Sequence, residues 1–371
     1  MKITGGQVFD LEQGFVRRDV CTDGAVIASK SGDDTVFDAA GCYVIPGLTD
    51  IHFHGCRGAD FSDGDLDGLR AMGAYELSRG VTQICPAGMT LPEEDLAAAC
   101  RTAAAYDEEN GSGAKLVGIN LEGPFLSAAK KGGQNGDYLQ EPDYAMFRRL
   151  MDASVGRVKL ISVAPELPGA MDFIRQAARD VTVSLAHTTA DYDTAAEAFR
   201  QGARHVTHLF NAMPAFSHRS PGVVGAALDC PACRVELICD GVHIHPSVVR
   251  AVFQMFGRDR VVLISDSVRA AGMPDGKYML GGQEFTLRGA HATLPDGTLA
   301  GSATDLMSCL CKAVRFGIPL VDAVRAAAVN PAKAIGIFDS VGSLDVGKQA
   351  NLAILGPDLA LKAVIFQGKA V

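Results

Sequence analysis

Eight short apolar runs, each followed by an Ala-rich stretch of helical periodicity, predict an α/β fold for this 371-residue chain: a parallel (β/α)8 barrel, or TIM barrel. The runs are too continuously apolar for a sheet with one wet face, which fits strands buried between helices and a barrel interior. The two ends read differently, as short Gly-punctuated β patterns such as Gly5–Asp10 and Gly24–Ala28, then Asn351–Leu355 and Ala363–Phe366. Neither end is long enough for a domain of its own. The economical prediction is one small β-sandwich assembled from residues 1–46 and 339–371, with the barrel inserted over 47–338.

In chain order, the first barrel strand is expected over Ile45–His52 and its helix over Leu66–Ser78. Strand Val81–Pro86 precedes helix Glu93–Asp107, and strand Leu116–Leu121 precedes helix Tyr144–Ala153. Strands Val158–Ala164 and Val181–Ala186 follow, the latter leading to helix Asp191–Arg200. His205–Leu209, Val235–Cys239 with helix Pro246–Phe256, and Val261–Ser265 complete the series. A further β-like piece, Tyr278–Leu299 with turns at Gly281–Gly282 and Asp296–Gly297, predicts a hairpin insertion near 274–300.

Hydrophobic residues make up 48% and charged residues 21%, so the chain can bury a large core. Its 41 glycines in a non-repetitive sequence suit the many tight turns of strand–helix alternation. Lys plus Arg total 34 against 43 for Asp plus Glu, a net charge of −9 that argues against nucleic acid or an anionic membrane as partner. A small anionic substrate stays open, because one or two local cations suffice for a phosphate. The opening MKITGGQVFDLEQG has no apolar run of a secretory signal and no stretch reaches the ~18 apolar residues of a membrane span, which predicts a cytoplasmic protein. Ten scattered cysteines then read as reduced thiols. The lone CxxC, Cys230 and Cys233, lacks a second pair to complete a zinc site.

Catalytic groups of such a barrel project from the C-terminal ends of its strands. The expected ends carry His52 and His54, Glu122, His187, His208, Asp240 with His243, and Asp266. Imidazoles and carboxylates converging on one mouth are what a divalent metal requires, with a position left for water. His52 and His54, one residue apart on a strand, point to the same side and can offer two nitrogens to one ion. His205 and His208 are three apart and face opposite sides, so His208, nearer the strand end, is the candidate ligand. Asp266 is the candidate proton-transfer group, although Asp before Ser also suits a helix cap. For His243 substrate contact is favoured over ligation, and His245 reads as a histidine that begins a helix.

The ordered set PGLTDIHFHG, LEGPF, LAHTTA, VTHLFNAMPAF, ICDGVHIHP, SDSVRAAG, AGSATDL and GSLDVGKQANLAIL resembles the N-acetylglucosamine-6-phosphate deacetylases of the amidohydrolase superfamily, over essentially the whole chain. The resemblance implies a metal-dependent barrel, usually homodimeric, that hydrolyses the N-acetyl amide of N-acetyl-D-glucosamine 6-phosphate to acetate and D-glucosamine 6-phosphate. It implies Glu122, His187 and His208 as primary metal ligands, His52 and His54 as holders of a second metal, and Asp266 as acid/base and a further metal residue. Zinc or iron, one or two ions per chain, is the implied cofactor. Asn211, Ala212, Arg219 and His243 would bind the sugar phosphate, with Gln134 and His218 at the substrate rim, and the Arg219 loop can reach the neighbouring subunit's site. Two positions depart from the family pattern: Gln134 stands where many relatives carry His, and Ser220 where Glu is frequent. A dihydroorotase or nucleobase deaminase would share the barrel and HxH but would not explain NAM followed by Arg219. An N-acetylgalactosamine 6-phosphate deacetylase differs only by a hydroxyl epimer. A non-catalytic sugar-phosphate-binding protein on the same barrel would have no need of Asp266 with the whole ligand set.

Overall fold

A computed structural model describes residues 1–106 and 113–371. Its centre is a curled parallel sheet of eight strands: β1 (Leu48–Asp50), β2 (Val81–Ile84), β3 (Ile119–Leu121), β4 (Val158–Val163), β5 (Thr182–Leu185), β6 (His205–Val206), β7 (Arg234–Ile238) and β8 (Val261–Ile264). Neighbours in space are neighbours in sequence, and between β2 and β3 the pairing runs through the short pieces Lys115–Leu116 and Ala87–Gly88. Beyond their ends β8 and β1 meet: the Asp266 N–H donates to His52 O at 2.9 Å and the His54 N–H to Ser267 O at 2.7 Å. Val235 and Leu237 face outward into the main helix-packed core, while Ile238 belongs to a separate inner cluster with Ile51, Leu160, Val262 and Ile264. Alternation therefore directs Arg234, Glu236 and Ile238 inward on one strand.

Helices α1 (Leu66–Ser78), α3 (Tyr144–Ala153) and α7 (Pro246–Phe256) occupy the expected ranges. Helix α2 (Glu93–Ala105) ends before Asp107, which lies outside the described residues. Helix α5 (Tyr192–Gln201) starts one residue late because Asp191 is its cap, accepting from the Thr194 N–H at 2.9 Å. His245 caps α7 in the same way, with Pro246 opening the helix. Helices α4 (Ala170–Ala177), α6 (Gly222–Leu228) and α8 (Leu306–Arg315) complete the outer layer.

The strand ends differ from expectation in an instructive direction. The predicted strand Ile45–His52 is two elements: Tyr43–Pro46 belongs to another sheet, and β1 stops at Asp50. The chain changes sheets at Gly47, where a Cβ would lie 2.0 Å from Thr82 Oγ1. His52 and His54 thus lie in irregular chain past the strand, not on it. The sixth strand shrinks to two residues because His208 and Phe210 have φ of +28° and +76°, turning the chain out of the sheet.

Tyr43–Pro46 pairs in parallel with Gln7–Asp10 and antiparallel with Leu352–Leu355, joining both chain ends in one six-stranded sheet. A four-stranded sheet from the first 38 residues lies with it over a core of Ile3, Val8, Val20, Ile27, Val44, Leu352 and Ile365. The expected hairpin over 278–299 is a four-stranded meander instead: Gly276–Leu280, Gln283–Arg288, His291–Thr293 and Leu299–Ser302. Its apolar residues Leu280, Phe285, Leu287 and Ala300 pack on Met89 and Val268, and this private core is what two strands alone could not bury. All ten cysteines are free thiols.

Candidate metal centre

At the C-terminal ends of the strands the buried carboxylate of Glu122 is surrounded by imidazoles. Its Oε1 lies 2.9 Å from His208 Nε2, 3.2 Å from His187 Nε2 and 3.4 Å from His52 Nε2. Its Oε2 lies 3.1 Å from His54 Nε2. Asp266 Oδ1 faces the same space, 3.5 Å from His54 Nε2 and 3.7 Å from His52 Nε2. Two donor groups result, Glu122/His187/His208 and His52/His54/Asp266, each with ligand atoms within 4.8 Å of one another.

Hydrogen bonding alone does not account for this arrangement. His187 Nε2 and His208 Nε2 are 3.1 Å apart, and the buried His52 Nε2 has no hydrogen-bond partner. Such crowding of inward-facing imidazole nitrogens around a carboxylate is the donor chemistry of a divalent cation. The rings are also held from behind. His52 Nδ1 bonds Glu236 Oε2 at 2.9 Å, His187 Nδ1 the Lys130 carbonyl at 2.8 Å, and His54 Nδ1 the Ala87 carbonyl at 3.1 Å. Donation from Nδ1 leaves Nε2 as the free lone pair.

Glu236 is what sequence reasoning missed. Wholly buried, it accepts from His52, from His205 Nε2 at 3.1 Å and from the His208 N–H at 3.2 Å, bracing both donor groups. The signal was a charged residue inside the apolar run VELIC. His205, the partner set aside in choosing His208, is thus tied to Glu236 and does not reach Glu122. Burial pushes the carboxyl of Glu236 up, but His52 and His205 outweigh it and bring the group to about 2. Burial likewise raises Glu122, yet His52, His187 and His208 hold it well below the usual carboxylate range. His54 is lowered by burial and raised more by Asp266 and Glu122, ending at about 10.

Three candidate metal-site residues, His187, His208 and Asp266, take left-handed φ of +42°, +28° and +48°. Each swings its side chain off a strand end into the mouth, a conformation costly for a residue with a Cβ and concentrated at functional sites. The mouth cavity holds about 350 Å³ and is lined by both donor groups except His52, by Asn211, Ala212 and His243, and by Leu280 and Leu299 of the meander. His243 Nδ1 is bonded to Asp240 Oδ2 at 2.8 Å, which leaves Nε2 for a ligand. The Asn211 amide is turned to backbone, donating to the His208 carbonyl at 3.2 Å.

Residues 43–371 match the amidohydrolase family. The chain belongs to that family. This amidohydrolase is 37% identical over 330 residues to the N-acetylglucosamine-6-phosphate deacetylase of Bacillus subtilis, covering 88% of this chain and 83% of that one. It is 32% identical to the N-acetylgalactosamine-6-phosphate deacetylase of Escherichia coli O157:H7, covering 94% and 92%. Among solved structures, N-acetyl-D-glucosamine-6-phosphate deacetylase of Mycobacterium smegmatis superposes with a TM-score of 0.92 at 32% identity over 100% of both chains. A mutant of that enzyme in complex with N-acetyl-D-glucosamine-6-phosphate gives 0.91 at 31%, over 100% of this chain and 98% of that one.

Of three further residues expected to meet the substrate, Gln134 lines the mouth of this amidohydrolase in another role, and His218 and Arg219 lie off it. Gln134 is buried, donating from Nε2 to Glu122 Oε2 at 2.6 Å and accepting from the Thr90 N–H at 2.7 Å. It touches the cavity, but its amide is committed to the carboxylate, so it orients Glu122. His218 and Arg219 are exposed on a tight Ser217–Ser220 turn and do not line the mouth within one chain. Lys130 is the one Lys or Arg among the cavity's lining residues.

Proposed function

We propose that the protein hydrolyses the N-acetyl amide of N-acetyl-D-glucosamine 6-phosphate, releasing acetate and D-glucosamine 6-phosphate in amino-sugar catabolism. The observation that carries the reading is the convergence of four imidazole Nε2 atoms on Glu122 with Asp266 beside them at the mouth. On this reading the curled sheet is a metal-dependent (β/α)8 barrel spanning 47–338, and residues 1–46 and 339–371 share one β-sandwich; the pairing of Tyr43–Pro46 with Leu352–Leu355 supports it. Glu122, His187 and His208 would hold one divalent ion, zinc or iron, and His52, His54 and Asp266 a second, and the bound metal would supply Lewis acidity toward the water and the amide carbonyl.

The chain's own residues do the rest. Asp266 Oδ1 takes the proton of the attacking water as the C–O bond forms and passes it to the amide nitrogen as the C–N bond breaks, since an amine leaves poorly unless protonated. His243, held by Asp240, presents Nε2 to the carbonyl oxygen as negative charge develops there. The backbone around Asn211 and Ala212 takes up the sugar phosphate. With a single cation in the one-chain mouth, the phosphate draws on Arg219 of a second chain, so the working unit is a homodimer with a composite site. The apolar groove of Phe210, Met213, Phe216, Ile244 and Val248, which shares His243 and Lys130 with the mouth, supports this side as the dimer face. We place the enzyme in the cytoplasm; no helix among the described residues is long and apolar enough to cross a membrane.

The relative acting on N-acetylgalactosamine 6-phosphate keeps the epimer as the second reading. Acetate release from both phosphorylated epimers, from the unphosphorylated sugars, and at defined metal content decides between them. Absence of acetate release from any of them by the metal-loaded protein would overturn the proposal.

A further inference from the structure

The opposite end of the curled sheet carries a second polar cavity, of about 560 Å³. It lies where the strands begin, its wall formed around Lys159 of β4, Thr182 of β5, Arg204 and His205 at β6 and Arg234 of β7. Cations dominate it: Lys159, Arg179, Arg204, Arg234 and Lys333. Among the described residues none of these five forms an ion pair. Its one carboxylate, Asp180, is already engaged, accepting from Tyr144 Oη and from Arg148, each at 3.2 Å. Arg204 spends Nη1 on the carbonyls of Phe199 and Ala203, and Lys333 Nζ lies 4.9 Å above the Phe338 ring, so neither charge is neutralised.

Two buried polar atoms add to the imbalance. Among the described residues, Arg234 Nε is buried without a partner, and no hydrogen bond engages the rest of that guanidinium. His205 is wholly buried; its Nε2 is bonded to Glu236, and its Nδ1 has no partner. Five unpaired cations around one cavity repel each other, and an unpartnered buried polar group costs free energy. In a chain of net charge −9 this concentration is not a general surface property. Burial, the main influence on Arg234, draws its affinity for the proton down, as expected of a guanidinium lacking a counter-ion.

We propose that this cavity at the strand N-termini is a second anion site, built for a phosphate group, free or carried by a small metabolite. Arg forks match phosphate oxygens bidentately, and the volume admits a molecule the size of a hexose phosphate. The connection Ala178–Val181 that follows α4, Arg204 beyond the end of α5 and the segment Lys333–Gly336 frame it, and none of its lining residues lines the mouth.

The test is calorimetric titration of inorganic phosphate, then glucose 6-phosphate, into the metal-loaded protein carrying Arg219→Ala, which removes the cation we assign to the catalytic phosphate. Measurable binding is expected, at least tenfold weaker when Arg234→Gln is added. The pair Lys159→Gln and Arg179→Gln, which keeps Arg234 in place, should weaken it likewise and guards against a folding defect in the first variant. In the otherwise wild-type protein these changes should leave deacetylation within twofold. Tighter binding of glucose 6-phosphate than of phosphate identifies a metabolite as the occupant; the reverse identifies free phosphate. No binding up to about 10 mM, or affinity within twofold of the parent in both sets of variants, would overturn the site.

Discussion

Replacing Glu236 by Gln keeps the side chain's shape and removes half of its acceptor capacity. The carboxylate uses Oε1 for His205 and Oε2 for both His52 Nδ1 and the His208 N–H. An amide has one acceptor oxygen. With that oxygen kept on His205, the NH2 group faces His52 Nδ1 and forces the ring's proton onto Nε2, the nitrogen now 3.4 Å from Glu122. A protonated Nε2 cannot ligate a metal. Loss of one charge-assisted hydrogen bond costs about 1.5–3 kcal/mol, or about 10- to 100-fold in affinity, which is also the usual effect of removing a carboxylate behind a metal-binding histidine. The weakening should fall on the His52/His54/Asp266 group. The other group should lose less, because Glu236 touches it only through the His208 backbone N–H, while the Lys130 carbonyl holds the His187 ring. Chelator competition with elemental analysis reads both affinities, and circular dichroism checks the fold. Two ions bound with wild-type affinities would refute the reasoning, and so would equal loss at both groups.

Four further outcomes are expected. Asp266→Asn should lower kcat by about 10²-fold or more with little change in KM while the Glu122 group keeps its metal; near-normal turnover removes Asp266 from proton transfer. Glu122→Gln should strip metal from the Glu122 group, since the amide's NH2 must face either Gln134 Nε2 or the His187 and His208 Nε2 atoms; unchanged stoichiometry by elemental analysis would refute the assignment. The raised His54 stays protonated up to about 10 in the metal-free protein, so metal must displace that proton: affinity at its group should climb up to ~tenfold per pH unit between about 7 and 9, with about one proton released in calorimetry, and a flat profile would refute the link. Arg219→Ala should raise KM for the 6-phosphorylated sugar by ~30-fold or more and spare the unphosphorylated one. Mixing those chains with Asp266→Asn chains should restore part of the activity, and failure to do so would refute a composite site.

Strand–helix alternation was legible because burial on both faces makes a parallel strand a continuous apolar run, and three helices fall on their expected residues. The strand ends were less so. Residues such as His52, His208 and Asp266 leave the sheet to enter the mouth, and local sequence does not distinguish a last strand residue from the first one beyond it. The donor groups rest on residue types that few structural roles require. Glu236 and Gln134 act through neighbours 184 and 12 positions away, at His52 and Glu122, and only tertiary packing states such pairings. Arg219 is harder again, because the role proposed for it rests on a second chain.

The shared six-stranded sheet also bears on how the protein is made. Tyr43–Pro46 leaves the ribosome about 300 residues ahead of its antiparallel neighbour Leu352–Leu355. At about 5–20 residues per second the first strand waits roughly 15–60 s for its partner. Throughout that interval one edge of it stays unpaired, and Val8 and Val44 lack the apolar cover that Leu352 and Ile354 provide. The nascent chain can close its central sheet while this smaller layer remains half built, so the exposed early edge is where a trigger-type chaperone, or a second nascent chain on the same message, would bind first.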